Sequence, residues 1–287
     1  MGDKPIVHVP ITKVRGGHTI LQQDELAVEE PLLIRVGYYF KDRFQTRDVS
    51  VTMRTPGHDC ELATGFLFSE GLVRRREDIA SCHSIGVAPS QEIQLDLNAG
   101  VDFDFARLER HFYTSSSCGV CGKTSLEAVE TAVTCPLALD GPGMEASIIH
   151  QLPDHLRAAQ SVFDKTGGLH ASALFEHTGS LVDIREDVGR HNALDKLIGG
   201  QLLAGKLPLA NKLLLVSGRA SFELVQKALM AGIAIMAAVG APSSLAVELA
   251  WRSHMTLIGF VRAGQFNIYS GPWRIRGSSV NEVESTA

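Results

Sequence analysis

The chain of 287 residues is long enough to bury a substantial core and to hold about two domains. Apolar residues at 45% and charged residues at 21% describe a globular chain rather than a disordered one. A net charge of −5 removes the basic surface on which general DNA or RNA binding relies, and Arg74-Arg75-Arg76 reads as a solvated turn.

Five cysteines lack a disulfide-framework spacing, and residues 1–18 lack an apolar signal core, so the chain is expected in the cytoplasm. Gly2 does not meet the myristoylation pattern because residue 6 is Ile. The uncharged run 228–247 is the one membrane-like stretch. Gly240, Pro242, Ser243 and Ser244 divide it into helix, buried strand, turn and helix, so no membrane span is expected.

In chain order, residues 6–54 read as strand-rich, with β-favouring runs at 6–14, 32–40 and 49–54. Thr55-Pro56-Gly57 turns into a helix over 59–70 that Gly71 ends. Strands follow at 79–87 and 92–97, the latter alternating Ile93, Leu95 and Leu97 with polar residues. A helix pattern with Leu126, Val129 and Val133 on one face comes next, then a Gly/Pro-rich connector over 137–145. A helix over 153–165 closes on Gly167-Gly168, and strands at 169–175 and 181–185 form a hairpin. The C-terminal part reads βαβαβ: strands 212–216, 235–239 and 256–261 with helices 222–233 and 244–251 between them. Such crossovers make a parallel sheet buried on both faces, which explains the continuous runs Leu213-Leu214-Leu215-Val216 and Ile235-Met236-Ala237-Ala238-Val239.

The chemistry is concentrated in Ser117-Cys118-Gly119-Val120-Cys121-Gly122-Lys123. Cys121 lies close to a helix N-terminus, where free N–H groups and the dipole lower a thiol pKa, and Lys123 adds positive charge. Four readings stand side by side. A structural zinc site wants four ligands and this motif supplies two. A dithiol–disulfide couple and a sulfur carrier that holds a persulfide both want a lowered pKa and exposure. A pair of idle thiols is the plain alternative.

Three loops fall at the carboxyl ends of the parallel strands: 217–221, 240–244 and 262–265. Ligands of open α/β sheets bind on that edge. Glycines and serines open two of the helices, and Arg219 and Arg262 supply charge, so the site reads as anionic and nucleotide-like. Against this, each serine taken alone reads as a helix cap. No Walker A or dinucleotide fingerprint occurs. The polar run 185–196 reads either as a solvated, ion-paired helix face or as a pocket wall with His191 and Asp187 as acid/base candidates.

Together, several stretches resemble the formate dehydrogenase accessory sulfurtransferase family, FdhD: Thr55-Pro56-Gly57-His58-Asp59, the cysteine loop 117–123, Thr166-Gly167-Gly168-Leu169-His170, and segments 185–197, 217–229, 239–249 and 256–262. The resemblance implies an α/β fold with a cytidine-deaminase-like core and mixed sheet over 111–277. A smaller strand-rich region would span 1–110, and a loose tail 278–287. It implies a cytoplasmic homodimer that takes sulfur from a cysteine desulfurase as a persulfide. The sulfur would pass to a bound molybdenum bis(molybdopterin guanine dinucleotide) cofactor, activating formate dehydrogenase.

Carried over residue by residue, Cys118 matches the persulfide cysteine and Cys121 its partner. Phe260, Val261, Arg262, Ala263, Gly264 and Gln265 match the segment that binds the guanine dinucleotide. Arg219 and Ser221 join that pocket, which would also take GDP-like guanine nucleotides, and no metal ligand set is expected. Cys60 stands where an acidic residue is expected. Zinc-dependent deamination has no support, because Ala171 and Ser172 follow His170 where a catalytic Glu is needed, and no C-x-x-C comes later. A thiol–disulfide oxidoreductase and a cofactor-holding chaperone are the alternatives, and only the chaperone would survive loss of Cys118.

Overall fold

The computed structural model describes residues 4–86, 91–102, 137–139, 141 and 143–277. The first two strands, β1 (Ile6–Arg15) and β2 (His18–Ala27), pair only with each other, around a Gly16-Gly17 turn whose φ angles of 57° and 80° suit glycine. The sequence pattern misses β2 because the strand is exposed along most of its length and has no core face to impose alternation.

A four-stranded sheet follows, built from β3 (Glu30–Phe40), β4 (Arg43–Arg54), β5 (Ile79–Ser84) and β6 (Glu92–Leu97) in the order β4-β3-β6-β5. Leu32, Ile34 and Val36 of β3 and Ile93, Leu95 and Leu97 of β6 are buried, with partly exposed residues between most of them, as the period of two requires. β4 begins ahead of the predicted 49–54 because its first half is exposed and polar. Helix α1 (Asp59–Ser69) matches its predicted span to a residue. His58 enters it in the left-handed region at φ 59°, and Gly71 follows it at φ 74°.

The second sheet has six strands: β8 (His170–Glu176), β9 (Leu181–Asp187), β10 (Lys212–Val216), β11 (Ile235–Ala238), β12 (Thr256–Arg262) and β13 (Gln265–Ser270). Their order is β13-β12-β11-β10-β8-β9. The predicted βαβαβ unit is present, with β10, β11 and β12 parallel. β8 lies antiparallel to β10 and β13 antiparallel to β12, which makes the sheet mixed. Helices α5 (Arg190–Leu203), α6 (Phe222–Met230) and α7 (Ser244–Arg252) contribute to one large core with Leu174, Leu214, Val216, Met236 and Leu257 from one face of the sheet. On the opposite face, Ala173, Phe175, Leu213, Leu215 and Ile258 pack with Ile149 of α2 (Ala146–Ile149) and Leu152 and Leu156 of α3 (Leu152–Ala159). Met144 and Ile275 of the short parallel pair β7 (Met144–Glu145) and β14 (Ile275–Arg276) complete that core.

The single helix expected over 153–165 is two. Gln160, at ψ 80°, separates α3 from α4 (Ser161–Thr166), and the Glu186 carboxylate accepts the amides of Val162 and Phe163 at 3.1 and 2.9 Å. An acid from β9 thus satisfies the start of a new helix, and no local pattern could announce it.

Helices α1 and α5 meet backbone to backbone. A Cβ on Gly65 would lie 1.9 Å from the Asp195 carbonyl oxygen, and one on Gly199 would lie 1.9 Å from that of Glu61. Only glycine allows this crossing. The first core runs through it, taking Leu67 and Phe68 from α1 and Leu194, Leu197 and Ile198 from α5. Among the described residues, no helix is long and apolar enough to cross a membrane.

Candidate functional site at the carboxyl edge of the six-stranded sheet

Parallel strands β10, β11 and β12 all end on one edge of the sheet. Antiparallel β8 begins there, at His170, and β9 ends there, at Asp187, paired with His170. The first two predicted loops are bonded to each other, and the second is bonded to Phe260 of β12, ahead of the third. Gly240 N donates to Gly218 O at 3.0 Å, and Phe260 N donates to Gly240 O at 3.1 Å. Ala220 N donates to Ala241 O at 3.1 Å, and Ser243 N to Ala220 O at 3.0 Å. A Cβ on Gly240 would lie 3.0 Å from Gly218 O and 3.1 Å from Arg219 N, so any larger residue would crowd the junction of the two loops.

The third loop is tighter than expected. Arg262 and Gln265 pair across an exposed Ala263-Gly264 turn, with Gly264 at φ 82°, and Gln265 opens β13. The register shifts between Gly259 and Arg262, and Phe260 takes φ 54°, a conformation that is strained for an aromatic residue. Phe260 is half-buried and Arg262 is exposed. Val261 lends only its backbone to this edge, because its side chain is buried in the second core.

Three of the four serines in these loops have different duties. Ser217 is spent on the sheet, its Oγ accepting Ala171 N at 2.9 Å. Ser243 caps α7, its Oγ accepting Ala246 N at 3.3 Å. Ser221 stands at the N-cap of α6 without a side-chain capping bond, and its Oγ lies 3.4 Å from His191 Nε2. The first-turn amides of α6 are therefore left without that cap, beside exposed Arg219.

His191, on the first turn of α5, also places Nε2 2.8 Å from a Glu223 carboxylate oxygen. Sequence reasoning missed Glu223, since an acid in a first helical turn reads as dipole compensation. Burial lowers the His170 pKa, the charges of Arg190 and His191 lower it further, and Asp187 opposes them. Arg190 Nε is buried without a hydrogen-bond partner among the described residues.

The run 185–196 is neither a solvated face nor a source of acid/base groups at Asp187. Asp187, Asp195 and Lys196 are all buried. Asp187 takes Lys196 Nζ at 2.7 Å, Thr55 N at 3.1 Å, Gly189 N at 2.9 Å and Asn192 Nδ2 at 3.1 Å. A carboxylate so occupied holds the α1–α5 junction together and has little capacity left for a substrate. Asp195 likewise takes Lys227 Nζ at 2.7 Å and Ser69 Oγ at 2.9 Å.

The donor set of this edge suits a phosphate ester: uncapped amides of α6, the Ser221 hydroxyl, and the Arg219 and Arg262 guanidinium groups. Among the described residues, no three His, Cys, Asp or Glu side chains converge as metal ligands. A separate cavity of about 600 Å³, lined by residues including Gly71, Arg74, Asp78 and Asp102, shares no residue with this edge. Cys118 and Cys121 lie outside the described residues.

The FdhD/NarQ family model matches residues 27–276. A protein named sulfur carrier protein FdhD from Streptomyces avermitilis is 49% identical over 272 residues, covering 92% of this chain and 94% of the relative. Proteins of the same name from Mycolicibacterium paratuberculosis and Sulfolobus acidocaldarius are 49% and 41% identical, covering 92% and 93% of this chain and 97% of each relative. A crystal structure from Desulfotalea psychrophila, described as that of a formate dehydrogenase accessory protein, superimposes with a TM-score of 0.72 at 24% identity. It covers 95% of this chain and all of that one, and shows the fold.

Proposed function

Because the chain belongs to the FdhD/NarQ family, we propose that it is a cytoplasmic sulfur carrier in formate dehydrogenase maturation. In this reading Cys118 thiolate attacks the outer sulfur of a cysteine desulfurase persulfide. A new S–S bond forms on Cys118, the desulfurase thiolate leaves, and Cys118 carries the persulfide. Cys121 thiolate then attacks Cys118 Sγ, the outer sulfur departs as hydrosulfide toward the acceptor, and a later thiol reductant reopens the Cys118–Cys121 disulfide.

The acceptor is the molybdenum bis(molybdopterin guanine dinucleotide) cofactor, held as substrate along the 217–265 edge by Arg219, Ser221 and the 260–265 hairpin. The observation that carries this end of the reading is the start of α6 without a side-chain cap, where loop 217–221 is bonded to loop 240–244 and that loop to Phe260. The relatives' printed names support the sulfur chemistry. Mixed strand directions in a sheet packed on both faces support a cytidine-deaminase-like core over 111–277, beside a smaller region over 1–110. Val14, Ile20 and Leu21, exposed on the β1–β2 hairpin, support a homodimer, since a lone two-stranded sheet is marginal in water.

The test is intact-protein mass spectrometry after incubation with a cysteine desulfurase and cysteine. Wild type should gain sulfur that reductant removes, and Cys118→Ala should gain none. Full formate dehydrogenase activation by Cys118→Ala would replace the carrier with a cofactor-holding protein.

A further inference from the structure

We propose that Glu223, steadied by His191, selects guanine over adenine at the 217–265 edge, an inference that rests on that edge holding the nucleotide. Loops 217–221, 240–244 and 262–265 contain no acidic residue, and their serines, amides and arginines suit phosphate. A carboxylate two residues past the first loop opposes such a ligand unless the ligand also brings hydrogen-bond donors. The other carboxylates around this edge are occupied. Asp187 accepts four donors, Glu186 takes the amides of Val162 and Phe163, and Glu248 pairs with Arg252 at 2.6 Å. Glu223 Oε2 lies 2.8 Å from His191 Nε2, while Glu223 Oε1 has no partner among the described residues. The side chain stays 18% exposed, so it is not sealed in the core.

The edge is also polarised. Arg262 ends β12, and Arg219 leans over the loop after β11, its Cγ 3.1 Å from where a Cβ on Gly240 would stand. His191 begins α5, which follows β9 at the far end of the strand order, and it draws Glu223 to that side. The strands β10 and β12 are two spacings apart, about 10 Å, so the cations and the carboxylate are separated by a span that a nucleotide can bridge. Phosphates held by the arginines leave the base facing Glu223.

Guanine offers N1–H and its 2-amino group as adjacent donors, which the two oxygens of one carboxylate accept together. Adenine offers N1 there as an acceptor, and two acceptors face to face leave both without a partner. His191 meets only one of the Glu223 oxygens, so it fixes the carboxylate without using it up. Glu223 is therefore the specificity residue and His191 its positioning residue.

The experiment is calorimetric titration of the full chain with GDP, with ADP, and with inosine diphosphate, which lacks the 2-amino group. Wild type should bind GDP at least about tenfold more tightly than ADP, with inosine diphosphate between them. Glu223→Gln keeps the shape of the side chain and should erase that preference, chiefly by weakening GDP. His191→Ala should reduce the preference as well, and His191→Gln, which returns a donor to Glu223, should restore most of it. Saturable GDP binding with the preference unchanged in Glu223→Gln, or with GDP and ADP weakened equally, would leave the nucleotide edge standing and overturn the role of Glu223. No saturable binding of GDP to wild type would remove the nucleotide edge, and the base selection with it.

Discussion

The α1–α5 crossing and the 217–265 edge draw on the same polar residue types and put them to opposite uses. At the crossing, Asp187, Asp195 and Lys196 are buried and their polar atoms are matched to backbone and side-chain partners. At the edge, Arg219 and Arg262 are exposed, and Ser221 stands at a helix start that it does not cap. A charge removed from water must be paired within the fold, whereas a charge left at a rim stays available to a ligand. Burial separates the two roles where residue type does not.

The comparison breaks first if the crossing is not what holds the fold. Asp187→Ala leaves the Lys196 ammonium and two backbone amides without their carboxylate, and should cost about 3–5 kcal/mol in urea unfolding. A cost below about 1 kcal/mol would remove the pair from the structural side of the comparison.

Acid probes the same junction. Burial would raise the Glu61 pKa, but hydrogen bonds from Arg185 and His58 outweigh it and hold the carboxyl down at about 2. A depressed carboxyl stabilises the fold above its unfolded pKa, and that stability is lost as pH falls through the folded value. Between pH ~5 and pH ~2 wild type should therefore lose on the order of 3 kcal/mol that Glu61→Gln never had. Parallel pH–stability curves for the two proteins would contradict the assignment.

The finest contrast lies within the edge. Ser243→Ala removes a capping bond and should cost about 1 kcal/mol. Ser221→Ala removes none and should stay within about 0.5 kcal/mol of wild type in the same unfolding measurement. Equal costs would mean that both serines serve their helices.

Much of this was legible in the sequence for physical reasons. Strands β10 and β11 are buried on both faces, so Leu213 to Val216 and Ile235 to Ala238 are continuous apolar runs, and the Gly/Ser loops after them mark the edge. β6 alternates because one face is core. β2 lacks a core face, and β13 follows a two-residue turn that reads as loop. The break between α3 and α4 depends on Glu186, which arrives from another strand. The same limit hides the His191–Glu223 pair, whose partners are neighbours only through the topology. The run 185–196 does not form a single helix face, because its first three residues finish β9 and the helix begins only after Gly189.

The central claim, that the 217–265 edge binds the nucleotide end of the acceptor, is tested most directly by calorimetric titration of GDP into wild type and into Arg219→Glu/Arg262→Glu. Wild type should bind saturably, and the double variant should bind at least about tenfold more weakly, a difference of ~1.4 kcal/mol, with its urea midpoint essentially unmoved. Equal affinity in the two proteins would place the nucleotide elsewhere and contradict the account.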